Sequence, residues 1–482
     1  MRYKIGADKY QLELLPPCLD DYVPKDHICR VIEAFTSQLD MRELGYKYAE
    51  SKDTGCRPYD PRMMLNLYIY GYLHRVRSSR RLEAETRRNV EVMWLMEGLR
   101  PDDKTICNFR KDNTKALKGT FRKFTQMCQS LQLYGGEVEA TDSTKFRANN
   151  SRRNNHNKVT VGRELSRINK QIEEYMNSLE QTDEQEAGEA TPNAQAILAA
   201  LDLLKQRKVK FETLKERVEQ EGEVSTVDPD ARLMHSGGDA RALDVCYNAQ
   251  TVVDSKHHLV VDFDLSEKAN DKGSLSGMSQ KAKEVLEVET MTNLADKGYY
   301  DGEDIAACEK IGVRCLVAKP KPGGVAKPEG FGRESFIYDR EANCYVCPGG
   351  KTLVYKRTQK HSDGVECRVY SNFSGCAQCP LKGECTTSNH RKIIRRPHED
   401  TLDIVNERTQ ANKQLYRNRQ EIVEHPFGTI KGVWGYKQFL CRTKPKVTAE
   451  AALAFLAYNF RRVVNILTEI GKNPVMVIMN RA

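Results

Sequence analysis

The residues of this 482-residue chain whose types and spacing could do chemistry are three acids and two cysteine pairs. In the run Gly136-Glu137-Val138-Glu139-Ala140-Thr141-Asp142, Val138 and Ala140 alternate with polar neighbours, the period of a half-buried strand. Asp142 falls where that strand should give way to a Ser/Thr loop. A second carboxylate, Asp296, closes the strand-like run Thr290–Ala295. A carboxylate at a strand end is fixed by rigid backbone yet faces an open site, so it can hold a metal ion. The third acid, Glu424, lies on a helical segment that Pro426 should kink or restart. Strand-terminal aspartates also cap turns, and Asp239, Asp244, Asp254, Asp262, Asp264 and Asp301 read as turn or surface residues of that kind. Glu421 and Glu407 are the substitutes if Glu424 is not the third acid. Cys344-x-x-Cys347 and Cys376-x-x-Cys379 flank a β-like segment, the spacing of a structural zinc ribbon. Disulfides are the competing chemistry, and Cys367 and Cys385 are rival zinc ligands.

Composition narrows the partners. The chain is 39% hydrophobic and 30% charged, and its length predicts about two to four structural units. The longest apolar stretch, near Met63–Leu73, is broken by Asn66 and flanked by arginines, so no membrane span is expected. The first residues, Met1-Arg2-Tyr3-Lys4, lead into no apolar signal core, which predicts a cytoplasmic protein. Net charge is +9, and between Arg57 and Lys123 sixteen Lys and Arg face eight Asp and Glu. Localised positive charge suits a polyanion, although a merely solvated basic face would look the same. The remaining cysteines, such as Cys18, Cys29, Cys56, Cys107 and Cys128, are scattered singly and read as reduced core residues.

The elements that must position these groups follow from periodicity. Residues 1–135 read as short helices with Arg80, Arg81, Arg87 and Arg88 outward. Asp102, Asp103 and Thr105 offer caps for a helix carrying Arg110 and Lys111. That pattern suits a helix-turn-helix-like DNA module, and a generic bundle almost as well. After the Asp142 strand comes a basic, Asn-rich loop from Arg147 to Lys158. Two amphipathic repeats interrupted at Gly188 and Pro192 then make a helical hairpin inserted into the sheet. Strand signals return as a hairpin at Val245–Val253 and Leu259–Phe263. A helix over Gly273–Val288, the Asp296 strand, a helix near Asp304–Lys310 and a strand at Val313–Ala318 complete a mixed α/β sheet. From Lys319 the composition turns to Pro, Gly and Lys, and the chain closes on an amphipathic helix around Leu453–Ile470.

Two strand-end aspartates followed by a helical glutamate resemble the RNase H-like DDE transposases of bacterial insertion sequences. The resemblance covers nearly the whole chain. It includes Tyr-Ile-Tyr-Gly-Tyr-Leu from Tyr68, Ser-Ser-Arg-Arg-Leu-Glu from Ser78, and Thr-Ile-Cys-Asn-Phe-Arg from Thr105. It also includes Cys-Tyr-Asn-Ala-Gln-Thr-Val-Val-Asp from Cys246, Ala-Asp-Lys-Gly-Tyr-Tyr from Ala295, the cysteine knuckles, and Val-Glu-His-Pro-Phe-Gly-Thr-Ile-Lys from Val423. The tail is similar to the Tyr-Arg-Glu-Lys signature of one large transposase group, carried by Tyr416, Arg419, Glu424 and Lys431. It departs in one detail, with four residues rather than three between Arg419 and Glu424.

The resemblance implies a fold, a reaction and a division of the chain. An RNase H-like core (136–160, 223–319 and 399–482) would carry an N-terminal helical DNA-binding domain (1–135). A helical-hairpin insertion (161–222) and a Cys-rich zinc-ribbon-like insertion (320–398) would interrupt it. The implied activity is DNA strand cleavage and transfer, an in-line displacement at phosphorus. Two Mg²⁺ or Mn²⁺ ions roughly 3.5–4 Å apart would be caged by Asp142, Asp296 and Glu424. Arg419 and Lys431 would neutralise phosphate, Tyr416 would stack or hydrogen-bond at the DNA end, and Arg80, Arg81, Arg110 and Lys111 would grip the duplex. Zn²⁺ on Cys344, Cys347, Cys376 and Cys379 would be structural. The implied partners are transposon ends and target DNA, with a homodimer or higher assembly on DNA. The alternative is a non-catalytic, zinc-containing DNA-binding regulator or a degenerate transposase remnant.

Overall fold

The computed structural model describes residues 18–50, 57–185, 192–236, 243–320, 330–361 and 364–480. Cys56, Gly188, Asp239 and most of the Pro/Gly/Lys stretch after Lys319 lie outside the described residues.

Among the described residues, a 3₁₀ turn (Leu19–Tyr22) is followed by six α-helices before the first strand: α1 (Ile28–Thr36), α2 (Pro61–Leu73), α3 (Ser79–Arg88), α4 (Val90–Leu95), α5 (Asp103–Asp112) and α6 (Thr114–Ser130). Their starts follow the local chemistry. The Asp60 side chain takes the Arg62 N–H with Pro61 in the first turn, and Asp102 takes the Thr105 N–H at 2.6 Å. α2 is apolar nearly all round and is buried along its whole length, as such a helix must be.

The central sheet contains β1 (Val138–Arg147). Short strands β2 (Asn155–Asn157) and β3 (Glu223–Ser225) pair at the foot of the hairpin α7 (Lys158–Gln185) and α8 (Pro192–Glu221). The sheet resumes with β4 (Arg232–His235), β5 (Leu243–Asp254) and β6 (Val260–Ser266). After α9 (Leu275–Leu286) come β7 (Met291–Ala295), α10 (Gly302–Lys310) and β8 (Val313–Val317). Strand order is β4-β5-β1-β7-β8, with β6 also on β5. β5 is antiparallel to β1, β4 and β6, whereas β1, β7 and β8 run parallel. The parallel steps are bridged by helices α9 and α10, as parallel pairing requires.

A second sheet follows, β9 (Ile337–Asp339), β10 (Cys344–Val346), β11 (Thr352–Lys360), β12 (Glu366–Ser371) and β13 (Lys392–Arg395), all antiparallel. Between its last two strands sit α11 (Phe373–Ala377) and α12 (Lys382–Cys385). The tail comprises α13 (Glu399–Ala411), α14 (Lys413–Phe427), α15 (Lys444–Glu469) and α16 (Pro474–Met479).

The N-terminal helices, the central sheet and α15 share one hydrophobic core, while the hairpin and the second sheet each have their own. Phe35, Phe124 and Phe460 pack ring on ring at its centre, joining α1, α6 and α15.

Three sequence expectations are corrected. β1 does not end at Asp142 but runs to Arg147, because β5 continues to pair with it as far as Cys246. The Asn-rich stretch is not a plain loop, since β2 lies within it and α7 starts at Lys158. Pro426 does not stop the helix. α14 continues to Phe427 and passes into a π-helical turn, Gly428–Val433, where the Thr429 hydroxyl takes up the His425 carbonyl.

Candidate active site

Asp142 lies where the sheet opens. β1 and β7 pair in parallel up to Thr141 opposite Ala295, and there β7 ends while β1 runs on beside β5. The next residue on each strand is an aspartate, Asp142 and Asp296, so the register itself sets the two carboxylates side by side. Asp296 starts a 3₁₀ turn (Lys297–Tyr299), its Oδ1 taking the Gly298 N–H at 2.7 Å. Asp142 Oδ1 takes its neighbour Ser143 N–H at 2.7 Å.

The tail reaches this point from the opposite side. Arg419 on α14 donates to Asp142 Oδ2 at 3.1 Å, with both side chains largely buried. Tyr416, one turn earlier, is half-buried near Arg419 and Asp296, and burial raises its phenol pKa. Lys431 sits on β1 itself, donating to Thr144 Oγ1 and to the Lys145 carbonyl at 2.9 Å each. Glu424 is exposed on α14, and its Oε1 accepts from Gln420 Nε2 at 2.7 Å.

A carboxylate not singled out in the sequence joins the two aspartates. Asp271, in the loop before α9, has Oδ1 accepting from Asn248 at 2.8 Å and Gln250 at 2.7 Å, both on β5. Gln250 in turn accepts from the buried Tyr299 hydroxyl. Lys145 Nζ stands 3.8 Å from the same Asp271 oxygen. The signal was present, since Asn248 and Gln250 are polar residues at alternate positions of an otherwise apolar strand, which marks a polar face inside the fold.

Electrostatics follow from the crowding. Burial pushes the Asp142 carboxyl up to about 6. The Ser143 N–H and Arg419 pull it down, while Asp296 and Asp271 add to the rise. A Cβ at Gly298 would stand 2.8 Å from Asp296 Oδ1 and 3.3 Å from Asp271 Oδ2, so only glycine leaves room between them. Asn248, fully buried, has an Oδ1 without a partner. Crowded oxygens, a cradle that a methyl group would fill and an orphaned carbonyl are the donor set of a hard divalent cation. Among the described residues, no three of these carboxylates have oxygens all within 4.8 Å of one another.

The rival acids have other occupations. Asp244 pairs with Arg147 and Arg152, Asp264 with Lys281, Asp301 caps α10, and Asp254 gathers backbone N–H groups at the turn before β1. Asp262 takes the Phe263 N–H, and Glu407 pairs with Arg340.

Of the basic residues, Arg80, Arg81 and Lys111 are exposed on the packed pair α3 and α5. Arg110, expected beside Lys111 to grip the duplex, is placed differently. It is 6% exposed, donates to the Tyr72 hydroxyl at 3.3 Å and lies over the Tyr68 ring, so it belongs to the interior.

The cysteine set also shifts. Cys347, Cys376, Cys379 and Cys385 line one small hollow beside β10 and β11. Cys347 and Cys379 sulfurs lie 3.8 and 3.6 Å from the point a Gly349 Cβ would occupy. Burial raises the Cys385 thiol pKa, with the thiols of Cys376, Cys347 and Cys379 contributing. Cys344 is buried within β10 opposite Val354, outside that hollow, and Cys367 is buried in β12. No three of these four sulfurs lie within 4.8 Å of one another, whereas four 2.3 Å tetrahedral bonds set neighbours roughly 3.8 Å apart.

Elsewhere, His27, Cys29 and Glu91 bring ligand atoms within 4.8 Å of one another. They already serve each other: His27 Nδ1 caps the Cys29 N–H, Nε2 faces Glu91 at 3.5 Å, and Glu91 accepts from Tyr70 at 2.6 Å.

Residues 17–112 match the family model described as a transposase domain (DUF772), and residues 346–464 match a transposase DDE domain. Neither a curated protein nor a solved structure matches the chain significantly. Among the described residues, no helix is long and apolar enough to cross a membrane.

Proposed function

We propose that this chain, which belongs to the insertion-sequence DDE transposases, cuts and joins DNA strands at a site built on Asp142, Asp296 and Glu424. The observation that carries this reading is the register of β1 on β7, which leaves an aspartate at the same level on each strand where the sheet opens. A sheet with three antiparallel and two parallel strand pairings supports an RNase H-like core.

Asp142 and Asp296, with Glu424 from α14, would hold Mg²⁺ or Mn²⁺, which when bound supplies charge stabilisation for in-line displacement at phosphorus. The chain's own groups do the rest. Arg419, half-buried against Asp142, is placed to pass from that carboxylate to a phosphate oxygen, a bidentate partner of the same geometry. Tyr416 borders the same opening and can pack on a terminal base or sugar. Lys431 is tied to β1, so its role is to brace the strand that carries Asp142.

Arg80, Arg81 and Lys111 on α3 and α5 form the basic face for transposon-end and target DNA. Cys347, Cys376, Cys379 and Cys385 close on a structural Zn²⁺. The enzyme works in the cytoplasm on nucleoid DNA, as a homodimer or larger assembly that pairs two ends.

The test is Mg²⁺-dependent nicking of a duplex carrying the element's own terminal repeats. Asp142→Asn and Glu424→Gln should each abolish nicking and leave binding of that duplex intact. Cleavage by Glu424→Gln at the unmodified rate would move the third acid elsewhere.

A further inference from the structure

We propose that Asp271 is a metal-ligating carboxylate of this site, acting beside Asp142 and Asp296, with Asn248 Oδ1 as a neutral oxygen in the same cluster. The inference rests on the DDE reading and extends its ligand set to a residue that neither the strand ends nor the tail signature contains.

Three observations carry it. The first is how the two oxygens of Asp271 are used. Oδ1 is occupied by the amides of Asn248 and Gln250, while Oδ2 lies on the Gly298 side. A ligand oxygen held by outer hydrogen bonds on its partner atom is the arrangement that fixes a carboxylate for coordination. The second is the close approach at Gly298. The missing side chain is what allows Asp296 Oδ1 and Asp271 Oδ2 to border one shared space. The third is independent of the acids. Asn248 is fully buried, its amide nitrogen donates to Asp271, and its carbonyl oxygen is left without any donor. Such an orphan is costly unless something comes to it, and a hard cation coordinates side-chain carbonyls as well as carboxylates.

Ligand number leaves room for a further acid. Mg²⁺ takes six oxygens and fills with water those that carboxylates and phosphate do not supply, so Asp271 would replace a water. Lys145 stands 3.8 Å from the other oxygen of Asp271, so it does not occupy Oδ2.

The experiment is titration of the full-length protein with Mn²⁺ alone, read by calorimetry and by electron paramagnetic resonance. Asp271→Asn, nearly the same shape, should weaken the tightest Mn²⁺ site at least tenfold. Gly298→Ala removes no carboxylate and should weaken it in the same direction by filling the cradle. Asp142→Asn serves as the reference. If Asp142→Asn loses Mn²⁺ but Asp271→Asn binds within twofold of the unmodified protein, Asp271 is no ligand and the DDE reading stands. If Asp142→Asn also binds unchanged, both fail together. Should Asp271→Asn not fold, Gly298→Ala decides by the same twofold limit.

Discussion

Glu139, three residues before Asp142 on β1, allows a sharp test of how that strand is held. It is fully buried, and neither carboxyl oxygen has a donor. Directly opposite across the β1–β5 pair is Asp254, equally buried. Asp254 collects the N–H groups of Gly135 at 2.7 Å, Lys256 at 2.9 Å and His257 at 3.2 Å. Burial, and then the Asp254 carboxylate, hold the Glu139 carboxyl well above the usual range, protonated and facing Asp254. The unfolded chain has no such constraint, and its glutamate ionises near pH 4.3. Between that value and the higher folded value, the native state binds one more proton than the unfolded state. Stability is therefore fully present below the unfolded pKa and falls as pH rises, by about 1.4 kcal/mol per pH unit. Glu139→Gln keeps the shape and a donor for Asp254 but cannot ionise. Melting of the variant against the unmodified protein at pH 5, 6 and 7 should show its advantage growing by about 3–5 °C per pH unit, at the 2–4 °C per kcal/mol expected of a domain this large. Parallel melting curves across that range would mean Glu139 is ionised in the fold, and the proton assignment would fall.

The cysteine assignment is checked by zinc content. Purified Cys385→Ser should lose its zinc, whereas Cys344→Ser should keep it, and the reverse pattern would restore the strand cysteine as the ligand. The basic face separates interior from surface charge. Lys111→Ala should lower the slope of log affinity against log salt for end DNA by about one. Arg110→Ala should leave that slope unchanged and cost about 3–5 kcal/mol of stability in denaturant melts, because it empties a buried cationic position between two tyrosines.

What the sequence revealed and what it hid divide along physical lines. Elements with strong period or sharp caps were legible. Asp102 opens α5, and the runs before Asp254 and after His258 form the hairpin β5–β6. The strand end before Asp296 was readable because β7 stops there. The strand end expected at Asp142 was not. Its strand goes on, and what ends is the partner, a fact that lives in a register and not in either segment alone. Arg110 was misread because helical spacing gives a face but not which neighbour covers it, and here the tyrosines of α2 do. Cys344 was misread because Cys-x-x-Cys spacing reports loop geometry, whereas β10 has already turned that side chain into the sheet. Asp271 lies between β6 and α9 with no periodic signature. Only the polar alternation of Asn248 and Gln250 on a buried strand hints at it.

The tail shows how one irregular turn divides two residues that a regular helix would keep together. Lys431 follows Glu424 by seven positions, which at 3.6 residues per turn is close to two turns, so the two would share a face. The face that α14 buries instead carries Ile422, Val423 and Pro426, with Arg419 on its line reaching Asp142 and Glu424 to one side of it. Pro426 has no N–H for the Ile422 carbonyl, and the backbone beyond it widens into the π-helical turn Gly428–Val433. A wider turn rotates each following residue less, so Lys431 comes round toward the buried side and docks on Thr144 and the Lys145 carbonyl. Glu424, before the turn, keeps its exposure, bound only to Gln420 of its own helix. The cation of the pair is thus committed to bracing β1, while the carboxylate stays outside the hydrogen bonds that hold the sheet.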